Sequence, residues 1–395
     1  MKVSKTDNKP AKKAAEDRGE AVTRMEPLLV SVQADGYSEL MDRVVELSAH
    51  ARGFRRRLPD EIASALSDLV RAMNCYYSNL IEGHNTHPIE IEQALKEDYS
   101  SDLEKRDLQM EAKAHIAVQE WIDEGGLRDR AATVDGVREI HRRFCEALPE
   151  SMGWVERPNK SGDPLPVVPG EWRQHDIQVG RHVPISPGAI LRFVAHFEEA
   201  CRSLGPSASV IAAASGHHRL LWIHPFIDGN GRVARLMSYA MLRETLDSGG
   251  IWSIARGLAR HVDEYKRQLA ACDAPRQSDL DGRGSLSEKA LVAFVQFFLD
   301  ICIDQVQYME SLVEPDQLRR RIRQWATHRV EAKALPEKSD RVLDALLYRG
   351  EIPRGEVATI TGTSERQARR ITSSLLSEAV VTSGSSRAPL RLAFP

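Results

Sequence analysis

The sequence is poor in cysteine and in aromatic side chains. Five cysteines occur among 395 residues, and aromatic residues make up 6% of the chain. The cysteines lie far apart and include no Cys-x-x-Cys pair, which argues against a disulfide framework and against a cysteine-ligated zinc cluster. We therefore expect reduced and mostly buried thiols at Cys75, Cys145, Cys201, Cys272 and Cys302.

The sequence also lacks long apolar runs. No stretch approaches the roughly 20 consecutive apolar residues of a membrane-spanning helix. The first 20 residues, MKVSKTDNKPAKKAAEDRGE, lack the apolar centre of a signal peptide. We therefore expect a cytoplasmic protein without membrane contact. The 42% of hydrophobic and 28% of charged residues are ordinary globular proportions, and the length suggests two or three structural units at about 150 residues each.

Little net charge is present, but the basic residues are unevenly distributed. The 54 Lys and Arg residues nearly balance the 57 Asp and Glu residues, giving a net charge of -3. This balance argues against a protein that coats nucleic acid along its whole surface. Residues 315–395 contain 15 basic and 9 acidic side chains, a net charge of +6, so residues 1–314 carry -9. The basic charge is concentrated at one end.

Helical periodicity dominates the sequence from about residue 37 onward. Leu40, Val44 and Leu47 recur at helical spacing, and similar patterns continue to about residue 312. Residues 149–188 are instead rich in Pro, Gly and Trp, and only the alternating HDIQVGRHV predicts a short strand or hairpin there. The predicted fold class is mainly α, a helical bundle with a short β-hairpin and a small C-terminal winged-helix domain.

The same patterns divide the chain into five parts. The first lacks large apolar side chains and cannot offset the entropy of ordering. The last combines a helix, the turn Thr361-Gly362-Thr363, a second helix SERQARRITSSLLSEA and a short apolar run, an order typical of a winged helix-turn-helix. The expected parts are a flexible tail over 1–25, an N-terminal helical region over 26–110 with a helix at about 60–83, a helical core over 111–314, a basic connector helix over 315–335 and the winged helix-turn-helix over 336–395.

The segment HPFIDGNGRVAR, residues 224–235, is the most informative part of the sequence. Gly229 and Gly231 permit the positive φ angles that turn successive backbone N–H groups toward one point. An apolar helix precedes the segment and another follows it, so this loop lies at a helix N-terminus. Such a loop binds phosphate, and Arg232 and Arg235 add cationic donors for further phosphate oxygens.

Two further side chains of this segment fit phosphate chemistry. Asp228 supplies a hard oxygen ligand suited to Mg²⁺, and His224 can remove a proton from a hydroxyl near neutral pH. The upstream pair His217 and His218 suggests zinc, but neither an HExxH motif nor cysteine ligands accompany it. We expect at least one of these two histidines to face the core.

The segment resembles the HPFxDGNGRxxR signature of the Fic-domain family at all nine fixed positions. Family members typically act as protein adenylyltransferases, enzymes that transfer AMP from ATP to a hydroxyl of a target protein, a Ser, Thr or Tyr side chain, and release pyrophosphate. The resemblance therefore implies a Fic-type helical core that uses ATP as co-substrate and Mg²⁺ as cofactor. Position by position it implies His224 as general base, Asp228 as metal ligand, Gly229, Asn230 and Gly231 as anion hole, Arg232 as phosphate ligand and Arg235 as γ-phosphate ligand.

The resemblance extends to two weaker patterns. Residues of about 170–185 look like the family's flap, a hairpin that registers an extended segment of the target by strand addition. Ile177, Gln178 and Val179 are the candidate docking residues, although an ordinary surface hairpin is the alternative. The stretch beginning at Asp263 is similar to the family segment that offers an aromatic ring to adenine, here Tyr265, but this chain lacks the common paired Tyr-Tyr.

A third pattern resembles the family's inhibitory motif, [S/T]xxxE[G/N]. It comprises Ser78, Glu82 and Gly83 at the end of the predicted helix at about 60–83, where Gly83 suits a C-terminal cap. In the family this glutamate pairs with the second arginine of the core, here Arg235, so that bound ATP cannot place its γ-phosphate productively. The resemblance therefore implies an autoinhibited adenylyltransferase whose inhibitory helix precedes the core in the same chain.

Two alternative functions remain open from the sequence. In some family members the same glutamate positions a water that removes AMP from the modified target, so Glu82 also permits a de-AMPylating hydrolase. The helix at 364–378 presents Arg366, Arg369 and Arg370 beside an apolar face, which suits contact with DNA. The second alternative is therefore an ATP-sensing, DNA-binding transcriptional regulator. A homodimer is plausible for this architecture, and no heptad repeat demonstrates it.

Overall fold

A computed structural model describes residues 15–84, 86–157, 162–313, 315–378 and 380–393. The described chain is mainly helical, with a few short strands, which confirms the predicted fold class for the bundle. The helices up to the candidate site are α1 (Tyr37–Arg57), α2 (Asp60–Glu82), α3 (Pro88–Leu95), α4 (Leu103–Asp123), α5 (Val134–Glu146), α6 (Ile190–Cys201) and α7 (Pro206–Ile223). The helices after it are α8 (Asn230–Leu246), α9 (Ile254–Arg260), α10 (Val262–Cys272), α11 (Glu288–Val313), α12 (Pro315–Glu331), α13 (Ser339–Arg349), α14 (Val357–Thr361) and α15 (Glu365–Ser377).

The strands are short and form two small sheets. Strands β1 (Trp154–Val155) and β2 (Leu165–Pro166) pair antiparallel, and Trp154 lies opposite Pro166. A second sheet has the order β3-β5-β4, all antiparallel, and contains β3 (Glu351–Ile352), β4 (Val381–Thr382) and β5 (Leu390–Leu392). Four 3-10 helices complete the described elements: Val22–Met25, Glu150–Met152, Pro187–Ala189 and Arg354–Glu356.

Helices α7 and α8 form the centre of the bundle. Each is buried along most of its length, and the two pack against one another. A first apolar core fills the space between α7 and the group of α1, α2, α9 and α11, and a second lies between α8 and the group of α4, α5 and α6. The loop between α7 and α8 is therefore held from both sides by packed helices. All five cysteines are free thiols, three buried and two half-buried, as the sequence predicts.

The N-terminal segment corrects one expectation. Residues 1–14 lie outside the described residues, but residues 15–25, predicted as part of a flexible tail, pack against the bundle. Asp17 accepts two hydrogen bonds from Arg192 at 2.9 and 3.1 Å, Arg18 pairs with Asp176 at 2.7 Å, and Met25 is fully buried. The prediction was wrong for this stretch because its polar side chains find charged partners far along the chain.

Helix α11 is more apolar than the absence of long apolar runs suggests. By length and composition it is the one helix of the described residues that can cross a membrane, and 61% of its most apolar 18-residue window is buried in the protein. Phe294, Phe298 and Leu299 are fully buried in the first core. These contacts are those of the core helix of a folded bundle, a situation that satisfies the same length and composition test.

Residues 339–393 form a small helical and stranded unit whose core also includes Ala326 of α12 and Leu335. Val342, Leu343 and Leu346 of α13 pack against Ile371 and Leu375 of α15, and strands β3, β4 and β5 close one side. Gly362 ends α14 with a φ of 61°, a left-handed conformation that glycine adopts without strain. The order helix, turn, helix and β-hairpin follows the sequence prediction, and the winged-helix assignment itself stays a prediction.

Candidate active site between α2, α4 and the α7–α8 loop

The loop between α7 and α8 has the left-handed backbone that the sequence predicts at Gly229, but not the one predicted at Gly231, which lies in the first turn of α8. His224 ends α7 with a φ of 49° and Gly229 precedes α8 with a φ of 80°, both left-handed. The Asn230 side chain stabilises the loop. Its Oδ1 accepts a hydrogen bond from the Phe226 N–H at 3.0 Å, and its Nδ2 donates one to the Phe226 carbonyl at 2.9 Å. The loop therefore presents the first turn of α8 and its free N–H groups, an arrangement that favours anions.

His224 lies at the start of this loop as a neutral imidazole. Burial lowers its pKa to about 4, although the hydrogen bond with Leu221 and the charge of Asp228 act in the opposite direction. Nδ1 lies 3.2 Å from the Leu221 carbonyl oxygen, so Nδ1 carries the proton and Nε2 bears the free lone pair. A neutral imidazole with a free Nε2 can accept a proton at neutral pH.

Arg173 fixes the backbone around His224. Its guanidinium donates to the carbonyl oxygens of His224 at 2.8 Å, His175 at 3.0 Å and Ile185 at 2.5 Å. Its backbone N–H also donates to the Pro225 carbonyl at 2.9 Å. Burial lowers the pKa of Arg173 to about 10, which leaves the group charged at neutral pH. This one cation therefore joins the base of the predicted flap to the α7–α8 loop.

Arg235 and Glu82 form an ion pair across the site. The Arg235 Nη2 donates to the Glu82 Oε1, and the Arg235 Nε donates to the Ser78 hydroxyl at 2.9 Å. Ser78 and Glu82 lie one helical turn apart in α2, so both side chains face α8. Gly83 ends α2 with a φ of 89°. The structure thus brings together Arg235 and the three residues of the predicted inhibitory motif.

The Glu82 carboxylate lies directly against the first turn of α8. A side chain at Gly231 would collide with the Glu82 Oε1 and approach the Arg235 guanidinium, so only glycine leaves room for this approach. Burial alone would raise the pKa of Glu82, but the charges of Arg235 and Arg232 outweigh it and hold that pKa below its usual value. The carboxylate is therefore ionised at neutral pH and occupies the anion-binding end of the helix.

Arg232 has a carboxylate partner that sequence reasoning missed. The Arg232 Nη2 donates to Glu111 of α4, a buried pair. The other oxygen of Glu111 lies 2.8 Å from the Nδ1 of His84. The Arg232 Nε has no hydrogen-bond partner among the described residues and remains available as a donor. Glu111 is a buried charged residue in an otherwise amphipathic helix, and that break in the apolar face was the available signal.

Asp228 is the candidate metal ligand and lies exposed in the loop. Its carboxylate forms no ion pair among the described residues. Within the described part of the chain no group of three or more His, Cys, Asp or Glu side chains is arranged to hold a metal. A single free carboxylate beside a phosphate site fits Mg²⁺, which is usually bound by one or two carboxylates together with substrate phosphates and water.

Tyr265 does not offer its ring to a nucleotide. The side chain is 3% exposed within the first core, and its hydroxyl lies 2.6 Å from the Nε2 of His217. The predicted adenine contact is therefore wrong in this structure, because α10 turns the ring inward to pack.

Both His217 and His218 are fully buried, so both face the core. His218 lies 3.1 Å from the Asp273 carboxylate.

The predicted flap is shorter than a hairpin of two strands. Val179 and His182 form one antiparallel bridge with two hydrogen bonds of 2.9 Å, and Gly180 in the turn has a φ of 60°. His182 is anchored to the Trp222 carbonyl of α7 at 2.7 Å. Gln178 and Val179 are exposed and Ile177 is half-buried. The segment thus leaves backbone groups before the bridge open to solvent beside the catalytic loop.

Residues 131–242 match a family described as Fic/DOC family. The match includes α5 to α8 and the complete loop around His224. This part of the chain is a Fic domain. Glu82 and Glu111, which contact its two arginines, belong to α2 and α4 and lie outside the matched segment.

Curated relatives of the Fic domain are named protein adenylyltransferase Fic. The chain is 30% identical to the protein of Drosophila willistoni over 169 residues, 42% of this chain and 31% of that protein. It is 30% identical to the protein of Drosophila grimshawi over 172 residues, 42% of this chain and 32% of that protein. The chain thus spans about a third of the length of these relatives.

Solved structures share the fold of the Fic domain. A Fic family protein from Desulfovibrio desulfuricans is 16% identical, has a TM-score of 0.50 and covers 89% of this chain and 96% of its own. A Fic domain containing signaling protein from Bacteroides thetaiotaomicron is 20% identical, has a TM-score of 0.51 and covers 68% of this chain and 95% of its own. At these identities the likeness concerns the fold alone.

Proposed function

We propose that this chain transfers AMP from ATP to a hydroxyl side chain of a target protein, and that Glu82 restrains the reaction. The observation that carries the proposal is the ion pair of Arg235 with Glu82 at the N-terminal end of α8. Two arginines, a glycine-rich turn and a neutral histidine lie together in this site. The names of the curated relatives support adenylyl transfer as its general chemistry.

The transfer step requires one base and one anion site. The target hydroxyl oxygen attacks the α-phosphorus of ATP, and its proton moves to the Nε2 of His224. A P–O bond forms as the bond to pyrophosphate breaks, and pyrophosphate leaves with the negative charge. The N–H groups of the Gly229–Gly231 turn are placed to stabilise phosphate charge as it develops. Arg232 and Arg235 are placed to hold the remaining phosphates.

The exposed Asp228 carboxylate supports the proposal that the reaction uses a metal ion. Asp228 would hold Mg²⁺, which when bound neutralises phosphate charge and orients the leaving pyrophosphate. The protein target would then align along the flap. Backbone groups of Ile177, Gln178 and Val179 would register a target segment by strand addition, beside the carbonyl groups that Arg173 holds in place.

Glu82 restrains transfer because it binds Arg235, the proposed ligand of the γ-phosphate. A guanidinium offers a planar set of donors that one carboxylate or one phosphate can occupy, so Glu82 and the γ-phosphate compete for Arg235. ATP can still reach the turn and Arg232, but its γ-phosphate lacks Arg235 as a ligand. We infer an autoinhibited enzyme whose activation requires Glu82, and with it the end of α2, to move away.

The Glu82 carboxylate also favours a second reaction, the removal of AMP from a modified target. Glu82 lies against Gly231 at the phosphate site, where a carboxylate is also placed to orient a water against an AMP-modified side chain. In that reaction water gives up a proton and attacks the phosphorus, the bond to the target oxygen breaks, the target oxygen takes up a proton to become a hydroxyl, and AMP leaves. Release of AMP from a modified protein by the wild type, lost in Glu82→Gly, would assign the chain to this de-AMPylating reaction.

The transfer itself is tested with ATP labelled at two positions. The Glu82→Gly protein is incubated with Mg²⁺ and ATP carrying the label on the α-phosphate or on the γ-phosphate, and labelled protein is measured after gel separation. We expect label from the α-phosphate alone, and its loss in Glu82→Gly/His224→Ala. The matched control Glu82→Gly/His328→Ala removes an exposed histidine of α12 and should label normally. Label from the γ-phosphate, or persistence without His224, would contradict the proposal.

A further inference from the structure

The outward face of α15 carries three arginines without a carboxylate partner among the described residues. Arg366, Arg369 and Arg370 are exposed, and they recur at the three- and four-residue spacing that places side chains on one face of a helix. The opposite face is buried, with Ala368, Ile371, Thr372 and Leu375 in or beside the core of the C-terminal unit. The core fixes which face of α15 is presented to solvent.

Four other arginines of this region pair with carboxylates, whereas Arg341 and Arg354 donate, within the described part of the chain, only to backbone carbonyl oxygens. The four pairs use four of the six acidic side chains of residues 339–393. The pairs are Arg349 with Glu356, Arg391 with Glu351, Arg323 with Asp344 and Arg329 with Glu378. Glu365 adds one negative charge at the start of α15. The three arginines of the α15 face therefore keep their positive charge, and Arg341, Arg354 and Arg387 add further positive charge to the unit without an ion pair among the described residues.

The elements around α15 leave this face accessible. A turn of three residues, Gly362 to Ser364, separates α14 from α15, and Ser364 and Gln367 form a capping box that fixes the first turn of α15. Strands β4 and β5 form a hairpin whose connecting loop contains the exposed Arg387. An α-helix of about 10–12 Å diameter fits the major groove of B-DNA, which is about 12 Å wide.

We propose that residues 339–393 bind duplex DNA, with the arginine face of α15 in the major groove. Arg366, Arg369 and Arg370 contact phosphates and base edges, and the β4–β5 loop with Arg387 contacts the neighbouring backbone. Charge complementarity selects this occupant, because phosphates repeat along the groove and arginine binds them in a bidentate manner. This function is separate from AMP transfer and does not use His224 or Arg235.

The test measures binding of the full chain to a fluorescein-labelled 30-base-pair duplex of mixed sequence by fluorescence anisotropy. Titrations from 50 to 200 mM salt give the slope of log K against log salt, which becomes shallower by about 0.9 for each phosphate that the protein no longer neutralises. We expect the variant with Arg366→Gln, Arg369→Gln and Arg370→Gln to bind at least about tenfold more weakly, with a slope shallower by about 3.

Two further variants distinguish the position of the arginines on α15 from the total charge of the protein and from loss of folding. A variant with Arg24→Gln, Arg52→Gln and Arg56→Gln removes three exposed arginines elsewhere and should bind the duplex like the wild type. Ser373→Glu places one negative charge on the exposed face of α15 without touching the core and should also weaken binding. The proposal is overturned if the wild type leaves the anisotropy unchanged at 50 mM salt. It is equally overturned if the α15 variants bind like the wild type, the result expected when this face meets a protein.

Discussion

Glu82 and Arg235 are separated by 153 residues in the chain, and their side chains meet at the N-terminal end of α8. The same guanidinium also donates to Ser78, one turn earlier in α2. Helix α2 therefore reaches the phosphate site through two residues on one face. Displacement of the Glu82 carboxylate, by rotation of its side chain or by movement of this face of α2, would free Arg235 for a nucleotide.

Glu111 is predicted to be essential for the stability of the site. Glu111→Gln removes the negative charge from a buried pair and leaves Arg232 as an uncompensated buried cation. We expect the free energy of unfolding to fall by about 3–5 kcal/mol. Urea unfolding followed by circular dichroism measures the change.

The matched control for Glu111 is Glu104→Gln on the same helix. Glu104 is exposed in the first turn of α4, and surface substitutions usually change stability by less than about 0.5 kcal/mol. Equal effects of the two substitutions would contradict a special role for the Glu111–Arg232 pair.

His84 is predicted to make the stability of the site depend on pH. The hydrogen bond with Glu111 raises the pKa of His84 above its usual value, despite burial and the repulsion of Arg232, and Glu82 adds a further attraction. A raised pKa in the folded state stabilises the protein fully below the ordinary pKa of 6.5 and less as pH rises through the shifted value. The protonated His84 therefore stabilises the end of α2 in mildly acidic solution.

The measurement compares the wild type with His84→Gln between pH 5.5 and 8.5. We expect the free energy of unfolding of the wild type to exceed that of the variant at pH 5.5 and to approach it as pH rises. His87→Gln serves as a control, because His87 caps α3 and forms no ion pair among the described residues. A difference that stays constant with pH would rule out protonation of His84 as the cause.

Arg173 is predicted to be required for both stability and transfer. Arg173→Met leaves three carbonyl oxygens without their donor and removes the link between His224 and the flap. Each buried unsatisfied group costs about 1–3 kcal/mol, so the free energy of unfolding should fall by about 3 kcal/mol or more. Labelling in the Glu82→Gly background should fall as well.

The control for Arg173 is Arg181→Met in the exposed turn of the flap. It removes the same charge and keeps every contact of Arg173, so stability and labelling should be retained. If Arg173→Met labelled as fast as Arg181→Met, the backbone around His224 would not depend on the Arg173 guanidinium.

The sequence predicted the loop better than its surroundings. Residues 224–235 carry the whole signature locally, and the φ angles of His224 and Gly229 follow from a few neighbouring residues. Glu111 was missed because its partner Arg232 lies far along the chain. The local signal, a charged residue among the buried positions of α4, marks Glu111 but does not identify its partner. The flexible tail was predicted from a polar composition, yet Arg18 and Asp17 meet partners more than 150 residues away.

Tyr265 illustrates the opposite error. The resemblance of the stretch beginning at Asp263 to a family segment suggested a base contact, but a sequence resemblance does not fix which neighbours a side chain packs against. In the fold, the Tyr265 hydroxyl forms a hydrogen bond with His217 of α7, and the Tyr265 ring is buried in the first core. Tertiary packing decided the role of this side chain.

The most direct test of the account compares initial rates of AMP transfer by the wild type and by Glu82→Gly at the same ATP and Mg²⁺ concentrations. A hydrogen bond to a charged group contributes about 1.5–3 kcal/mol, so removal of the competing carboxylate should raise the rate by about ten- to a hundredfold. Glu92→Gly, the same exchange at an exposed position of α3, should leave the rate unchanged. Equal rates for the wild type and Glu82→Gly would contradict the claim that Glu82 withholds Arg235 from ATP.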